Sequence, residues 1–180
     1  MLKYNLCYIK QGNQVLLLNR DYPGWMGCWN GVGGKLEPNE SPRESMLREI
    51  QEETGLLHID LRFKGLKTWS KADATGIGGL YLYVGFLPEH YVYPTPKRME
   101  EGILDWKDLG WILHRDNLGV ADNLPNSLRV AFADPRCYDH HSVFEGNRMI
   151  HESMTEIKPQ LENDLIQRNE YLSKYRNRLL

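Results

Sequence analysis

The sequence predicts an α/β sandwich, with helices laid against a sheet, on three observations. Apolar runs of strand length recur along the chain, and the run "GGLYLYVGFL" is apolar almost throughout, as a strand buried on both faces would be. One helix, beginning after Ser41, carries both a start and a stop signal. Strand and helix patterns are mixed within 180 residues, a length that suits one domain.

In chain order, "LCYIKQGNQVLLLNR" reads as a hairpin. Its apolar runs, Leu6–Ile9 and Val15–Leu18, flank the turn signal Gln11-Gly12-Asn13. A loop rich in glycine and tryptophan runs from Asp21 to Gly34. Ser41 then supplies an N-cap, Pro42 fits the first helical position, and Glu44 completes a Ser-x-x-Glu capping box. Gly55 stands where a left-handed C-terminal cap belongs. Strands are predicted at His58–Lys67, at Gly79–Leu87 in the centre of the sheet, and around Ile103–Trp106. A helix is predicted near Asp122–Ala133. "HSVFEGNRMIHE" reads as a second hairpin turning at Glu145-Gly146-Asn147. From Glu156 to Leu180, Leu161, Leu165, Ile166, Tyr171 and Leu172 fall near helical spacing and predict a terminal amphipathic helix. The expected division is a domain over 1–155 with a helical extension of the same domain over 156–180.

Apolar content of 41% and charged content of 26% are globular values. A net charge of −2 argues against a protein that simply coats a nucleic-acid backbone, so no stable nucleic-acid complex is expected. Three cysteines without a CxxC pair indicate neither a zinc site nor a disulfide framework. The opening "MLKYNLCYIKQGNQ" turns polar early, and no apolar run reaches membrane-spanning length. The expectation is a cytoplasmic protein with no membrane partner.

The end of the capped helix is unusual. With about 100° per residue, Glu53 lies about 40° to one side of Glu49 and Glu52 about 60° to the other. Three carboxylates thus share one sector at the end where the helix dipole prefers cations. Arg48 can pair with Glu44 or Glu52 but cannot neutralise the group. A solvated acidic face is the common fate of such runs. It would bring interleaved lysines, yet none lies between Lys35 and Lys64. A bound divalent cation removes the conflict, and all-oxygen ligation favours Mg²⁺ or Mn²⁺.

The same residues fit a family signature. Gly34, Glu40 after five residues, and Arg48-Glu49-Ile50-Gln51-Glu52-Glu53-Thr54-Gly55-Leu56 after seven more match GX5EX7REUXEEXGU, with U aliphatic, at every fixed position. The chain therefore resembles the Nudix hydrolases. The resemblance implies an α/β/α sandwich around a mixed β-sheet and Mg²⁺-dependent hydrolysis of a nucleoside diphosphate linked to another group. It further implies that Glu49, Glu52, Glu53 and the Gly33 carbonyl hold metal, with Glu101 or Glu100 joining from a later loop; Glu101 is preferred because it directly precedes Gly102 and the strand. Arg48 would orient a ligand glutamate and Glu40 would buttress the loop. The base toward water would be one of the glutamates or a later-loop residue. Gly31, Gly33 and Gly34 would let the backbone approach metal and phosphate closely.

The run Trp29-Asn30-Gly31-x-Gly33-Gly34-Lys35 is similar to the MutT-like branch, which hydrolyses 8-oxo-dGTP and cleanses the nucleotide pool ahead of DNA repair. That likeness makes Asn30 a base reader and places Gly33, Gly34 and Lys35 against the substrate, with Asp122 and Asn123 as later-loop candidates. Asp122 and Asn123 could equally cap the helix that follows. The segment after the box lacks the proline usual in ADP-ribose pyrophosphatases, while dinucleoside polyphosphates and capped RNA stay open as substrates. A non-catalytic nucleotide-binding module is the rival class; such modules commonly lose box glutamates, and this chain keeps all of them. At most one of Trp25, Trp29, Trp69 and Tyr22 is expected to stack on a base. His140, His141 and His151 are expected at the surface. The tail is expected to pack on the sheet or on a second copy of the chain, giving a homodimer, against a solvated terminal helix.

Overall fold

In a computed structural model of the chain, which describes residues 2–73 and 76–176, the first hairpin forms as its turn signal dictates. Strand β1 (Leu2–Gln11) pairs antiparallel with β2 (Gln14–Arg20), with Gln11 opposite Gln14 across Gly12-Asn13. The glycine-rich loop is not wholly irregular, because Trp29–Asn30 forms a short strand, β3, against β2. Helix α1 (Pro42–Thr54) is capped as its sequence requires. The Ser41 hydroxyl accepts from the Glu44 amide at 3.2 Å, the Glu44 carboxylate accepts from the Ser41 amide at 2.9 Å, and Gly55 adopts φ 80°.

Strands β4 (Asp60–Lys71) and β5 (Ile77–Phe86) follow, then β6 (Lys97–Arg98) and β7 (Gly102–Asp108). A single turn of helix, α2 (Leu109–Ile112), precedes α3 (Leu124–Ala133). The second hairpin is β8 (Cys137–Glu145) with β9 (Arg148–Ile157). Among the described residues the sheet runs β6-β7-β2-β1-β5-β4-β8-β9, with β3 paired to β2. The β1–β5 and β4–β8 pairs are parallel and the rest antiparallel, so the sheet is mixed and β5 lies in its interior as its apolar run predicts.

Alternation along the strands divides the core between two faces. Cys7, Ile9, Tyr81 and Tyr83 face Met46 and Ile50 of α1, while Leu6, Tyr8, Leu82 and Val84 face Leu124 and Leu128 of α3. The result is an α/β/α sandwich. In β4 the alternation breaks: Leu61 and Phe63 join the α1 face, and after a bulge between Phe63 and Gly65 it is Leu66 that does so. Gly65 has φ 124°, and a β-carbon there would collide with the Tyr138 carbonyl. The extra residue turns Lys67 toward the α3 face.

The tail differs from the predicted continuous helix. Glu156 and Ile157 complete β9, Pro159–Glu162 form a 3-10 turn, and helix α4 begins only at Leu165 and runs to Arg176. Register with Cys137 and Tyr138 holds the first residues as strand, Pro159 opens the 3-10 turn, and Asp164, accepting from the Gln167 amide at 2.9 Å, caps the start of α4. Residues 177–180 of the predicted helix lie outside the described residues. Leu161, Leu172 and Tyr175 are buried in the same core as Met46 and Ile50. Among the described residues no helix is long and apolar enough to cross a membrane.

Candidate active site

Helix α1 presents Met46, Ile50 and Glu53 along its buried side, so the geometry that seats the helix also carries one carboxylate inward. Glu53 accepts from the Gly33 amide through Oε2 at 2.7 Å, while its Oε1 is buried with no hydrogen-bond partner. Burial, reinforced by the nearby negative charges of Glu101 and Glu49, pushes Glu53 up to about 8. Glu49 is raised as well, chiefly by burial. Glu52, with 59% of its side chain exposed, lies at the rim.

Arg48 organises this end of the helix. It donates to Glu40 at 2.7 and 3.0 Å, to Glu49 at 3.0 Å, to Glu52 at 2.9 Å and to the Lys35 carbonyl at 3.1 Å. Of the two pairings open to it from the sequence, it makes the one with Glu52, because Glu44 is engaged in the capping box. Its guanidinium holds Glu40 down to about 2. The glycine loop is pinned by Asn5, whose Oδ1 accepts from the Gly34 amide at 3.1 Å and whose Nδ2 donates to Ser45 at 2.9 Å. A β-carbon at Gly33 would strike the Asn5 carbonyl, and one at Gly34 would strike the Glu49 carboxylate. The helix C-terminus receives its cation from outside, as Lys97 donates to the Thr54 carbonyl at 3.3 Å.

From the far side Glu101 forms an ion pair with Arg20 at 3.2 Å, while its Oε2 and the Arg20 Nε are both buried without an aligned hydrogen bond. Glu100 does not line the cavity described below, whereas Glu101 does. No three or more His, Cys, Asp or Glu side chains among the described residues form a ready-made coordination set. The donor chemistry nevertheless fits a hard cation. The Glu53 oxygen, shut in without a partner, lies beside Glu49 and the Arg20-paired Glu101 in an all-oxygen group.

The glycine loop opens onto a cavity of about 500 Å³, lined near the carboxylates by Arg20, Gly33, Gly34, Lys35 and Glu101. Asn30, Lys67 and Asn123 line it as well, with Trp25, Trp69, Leu80 and Phe144. Asn123 occupies the N-cap position of α3 but makes no side-chain cap bond, and Asp122 is exposed and outside the cavity lining. Trp29 is also absent from the lining; its ring lies beneath Lys107, 4.1 Å from ammonium to centroid. Tyr22 is exposed away from the cavity.

His140 and His141 overturn their surface expectation, being 3% and 6% exposed. Both lie on β8 between β4 and β9, and His141 bonds Thr68 at 2.8 Å and stacks on Tyr175. Only His151 is exposed as expected. Sequence reasoning missed Asn5, Arg20 and Lys67. Arg20, at the strand end before the glycine loop, left a faint positional signal; Lys67 left none, because its direction depends on the bulge at Gly65.

A family model described as NUDIX domain matches residues 5–133. The chain is 35% identical over 103 residues to an uncharacterized Nudix hydrolase, YvcI, of Bacillus subtilis (strain 168), covering 57% of this chain and 63% of that protein. It is 47% identical over 45 residues to an 8-oxo-dGTP diphosphatase of Proteus vulgaris, covering 24% of this chain and 40% of that protein. The chain therefore spans less than two thirds of the length of either curated relative. Among solved structures, a MutT protein from Bacillus halodurans superposes with a TM-score of 0.71 at 23% identity, covering 86% of this chain and 97% of that one.

Proposed function

The chain belongs to the NUDIX domain family, and from that premise we propose that it is a Mg²⁺-dependent hydrolase of nucleoside triphosphates, Mn²⁺ being able to substitute. The products are a nucleoside monophosphate and pyrophosphate, and 8-oxo-dGTP is the favoured substrate. The observation that carries the reading is Glu53, fixed by Gly33 through one oxygen and left buried and unpartnered at the other, beside Glu49 and Glu101. Burying that carboxylate without a cation opposes folding, since it must either carry an unpaired charge or take up a proton near neutrality.

In this reading Glu49, Glu52, Glu53, Glu101 and the Gly33 carbonyl hold the cation. When bound, it supplies neutralisation of phosphate oxygens and a lowered pKa for water. The chain's own groups do the rest. Arg48 keeps Glu49 and Glu52 aimed, with Glu40 holding Arg48 from behind. Gly33 and Gly34 let the phosphate chain approach the backbone, and Lys35, with Arg20 beside Glu101, lines the cavity with positive charge. The proton released by the attacking water passes to a carboxylate of this group. Asn30 and Asn123 contact the base, and Trp25 or Trp69 walls the slot. Residues 1–155 form the catalytic domain, with 156–180 an extension of it; the burial of Leu161 and Leu172 in the common core supports this.

The substrate preference is supported by the Trp29–Lys35 run and by the named activity of the Proteus vulgaris relative. Product analysis against 8-oxo-dGTP, dGTP, ADP-ribose, dinucleoside polyphosphates and capped RNA tests it. The expected result is 8-oxo-dGMP with pyrophosphate and the highest kcat/KM for 8-oxo-dGTP. A higher kcat/KM for ADP-ribose would overturn the substrate while leaving the family unaffected.

A further inference from the structure

The glycine loop runs antiparallel to β1, and its pairing departs from regular geometry at one bond. Cys7 and Val32 exchange both main-chain bonds, at 2.8 and 3.1 Å, and Tyr4 bridges Lys35. In the same register Leu36 donates to the Lys3 carbonyl at 3.0 Å and Asn5 donates to the Gly34 carbonyl at 2.9 Å. That register sets the Gly34 amide opposite the Asn5 carbonyl, since a bonded antiparallel pair exchanges both bonds. The Gly34 amide goes instead to the Asn5 side chain, whose Oδ1 accepts at 3.1 Å. The Asn5 carbonyl is packed against Gly33, where an added β-carbon would strike it.

Asn5 is 2% exposed, and both ends of its carboxamide are used. A backbone amide can only donate, so Oδ1 faces Gly34 and Nδ2 faces α1, donating to Ser45 Oγ at 2.9 Å. Ser45 Oγ also accepts at 3.4 Å from Arg48, the side chain that holds Glu49 and Glu52. One carboxamide thus joins the glycine loop to the acidic helix.

In a trans peptide the carbonyl points opposite to the N–H of the same unit. Tying the Gly34 amide to Asn5 therefore fixes the Gly33 carbonyl and turns it away from β1. On the preceding side the Gly33 amide donates to Glu53 at 2.7 Å. Gly33 is clamped through both flanking peptides at φ 149°, a conformation open to glycine and strained for other residues.

We propose that Asn5 is a positioning residue for the cation. By taking the Gly34 amide in place of its own main-chain carbonyl, it aims the Gly33 carbonyl at the metal and keeps loop and helix in one geometry. The proposal rests on the reading that Gly33 and the glutamates hold a divalent cation. A carbonyl dipole is fixed to its peptide plane, so a hard cation gains most from it when that plane is already set. A regular ladder bond would set the plane from β1 alone, with no connection to Glu49 or Glu52.

The test is Mn²⁺ binding to the nucleotide-free full chain, followed by the electron paramagnetic resonance signal of free Mn²⁺. Asn5→Leu, close in volume but unable to accept or donate, should bind about ten- to a hundredfold more weakly while circular dichroism shows it folded. Asn5→Asp keeps an acceptor toward Gly34 and should bind at least as tightly as the unaltered chain. Equal affinity of Asn5→Leu and the unaltered chain would overturn the proposal. So would weaker binding by Asn5→Asp, the sign of a loop merely loosened by any change at this position. If Asn5→Leu does not fold, Asn5→Asp decides alone by the same criterion. Absence of Mn²⁺ binding by the unaltered chain would sink the metal reading and this proposal with it. Binding that responds to Asn5 as expected, without triphosphate hydrolysis, would support the proposal and sink the catalytic reading.

Discussion

Glu53 combines a helix position chosen for burial with a charge that burial disfavours. Its folded pKa, about 8, lies above the ordinary value of 4.5, so between those values the folded state keeps a proton that the unfolded chain releases. The stability associated with Glu53 is complete below 4.5 and is lost as pH rises through 8. In metal-free buffer near neutrality, Glu53→Gln should therefore leave Tm equal to or above that of the unaltered chain, since the amide oxygen can still accept from Gly33. Added Mg²⁺ should raise Tm of the unaltered chain and have little effect on the variant. A fall in Tm on substitution without metal would contradict a destabilising burial of Glu53. His140 makes the opposite test. Burial, then the charge of Lys67, depresses it from 6.5 to about 4, so its contribution is present above 6.5 and lost as pH falls through 4. That loss is on the order of 3 kcal/mol. Unfolding titrations should show a flatter pH dependence across that window in His140→Gln. The three glutamates were legible in the sequence because their crowding violates a local electrostatic preference. His140 and His141 were not, because burial of a strand residue depends on neighbours remote in sequence.

At the scale of elements, α1 was readable to the residue because capping chemistry is local: Ser41, Pro42, Glu44 and Gly55 each act within one turn. The β4 bulge was not, since Gly65 is needed for its approach to the Tyr138 carbonyl on another strand. That one-residue shift turns Lys67 to one face and Thr68 to the other. On the second face, Thr68, Tyr171 and Tyr175 all donate to the buried Asp139, at 2.8, 2.9 and 2.5 Å, which ties α4 to the sheet. The helical spacing of the tail was visible, but its anchor was not. Leu172→Ala should cost about 2–4 kcal/mol in chemical denaturation, as a core truncation does. Tyr175→Phe should cost about 1–3 kcal/mol by stripping a donor from a buried carboxylate. Changes within about 0.5 kcal/mol for both, the range of ordinary surface substitutions, would show instead that α4 is solvated.

For the whole molecule, the strand runs and the capped helix were enough to indicate a sandwich, whereas the order of strands required the structure. The cavity shows why. Tyr4, Arg20, Asn30, Lys67, Asn123 and Phe144 come from six separated segments, and no window of sequence contains more than a small part of it. The Gly33–Leu56 part of the candidate site was legible because it is contiguous, whereas Asn5, Arg20 and Lys67, which join it from remote segments, were not. In the proposed function, the last turn of α1 supports metal-dependent cleavage of a phosphate chain. The most direct measurement follows pyrophosphate release from a nucleoside triphosphate against Mg²⁺ concentration, for the unaltered chain and for Glu53→Gln in parallel. The account predicts release that requires Mg²⁺ and falls by about a hundredfold or more in the folded variant; metal-independent release, or equal rates in the two proteins, would contradict it.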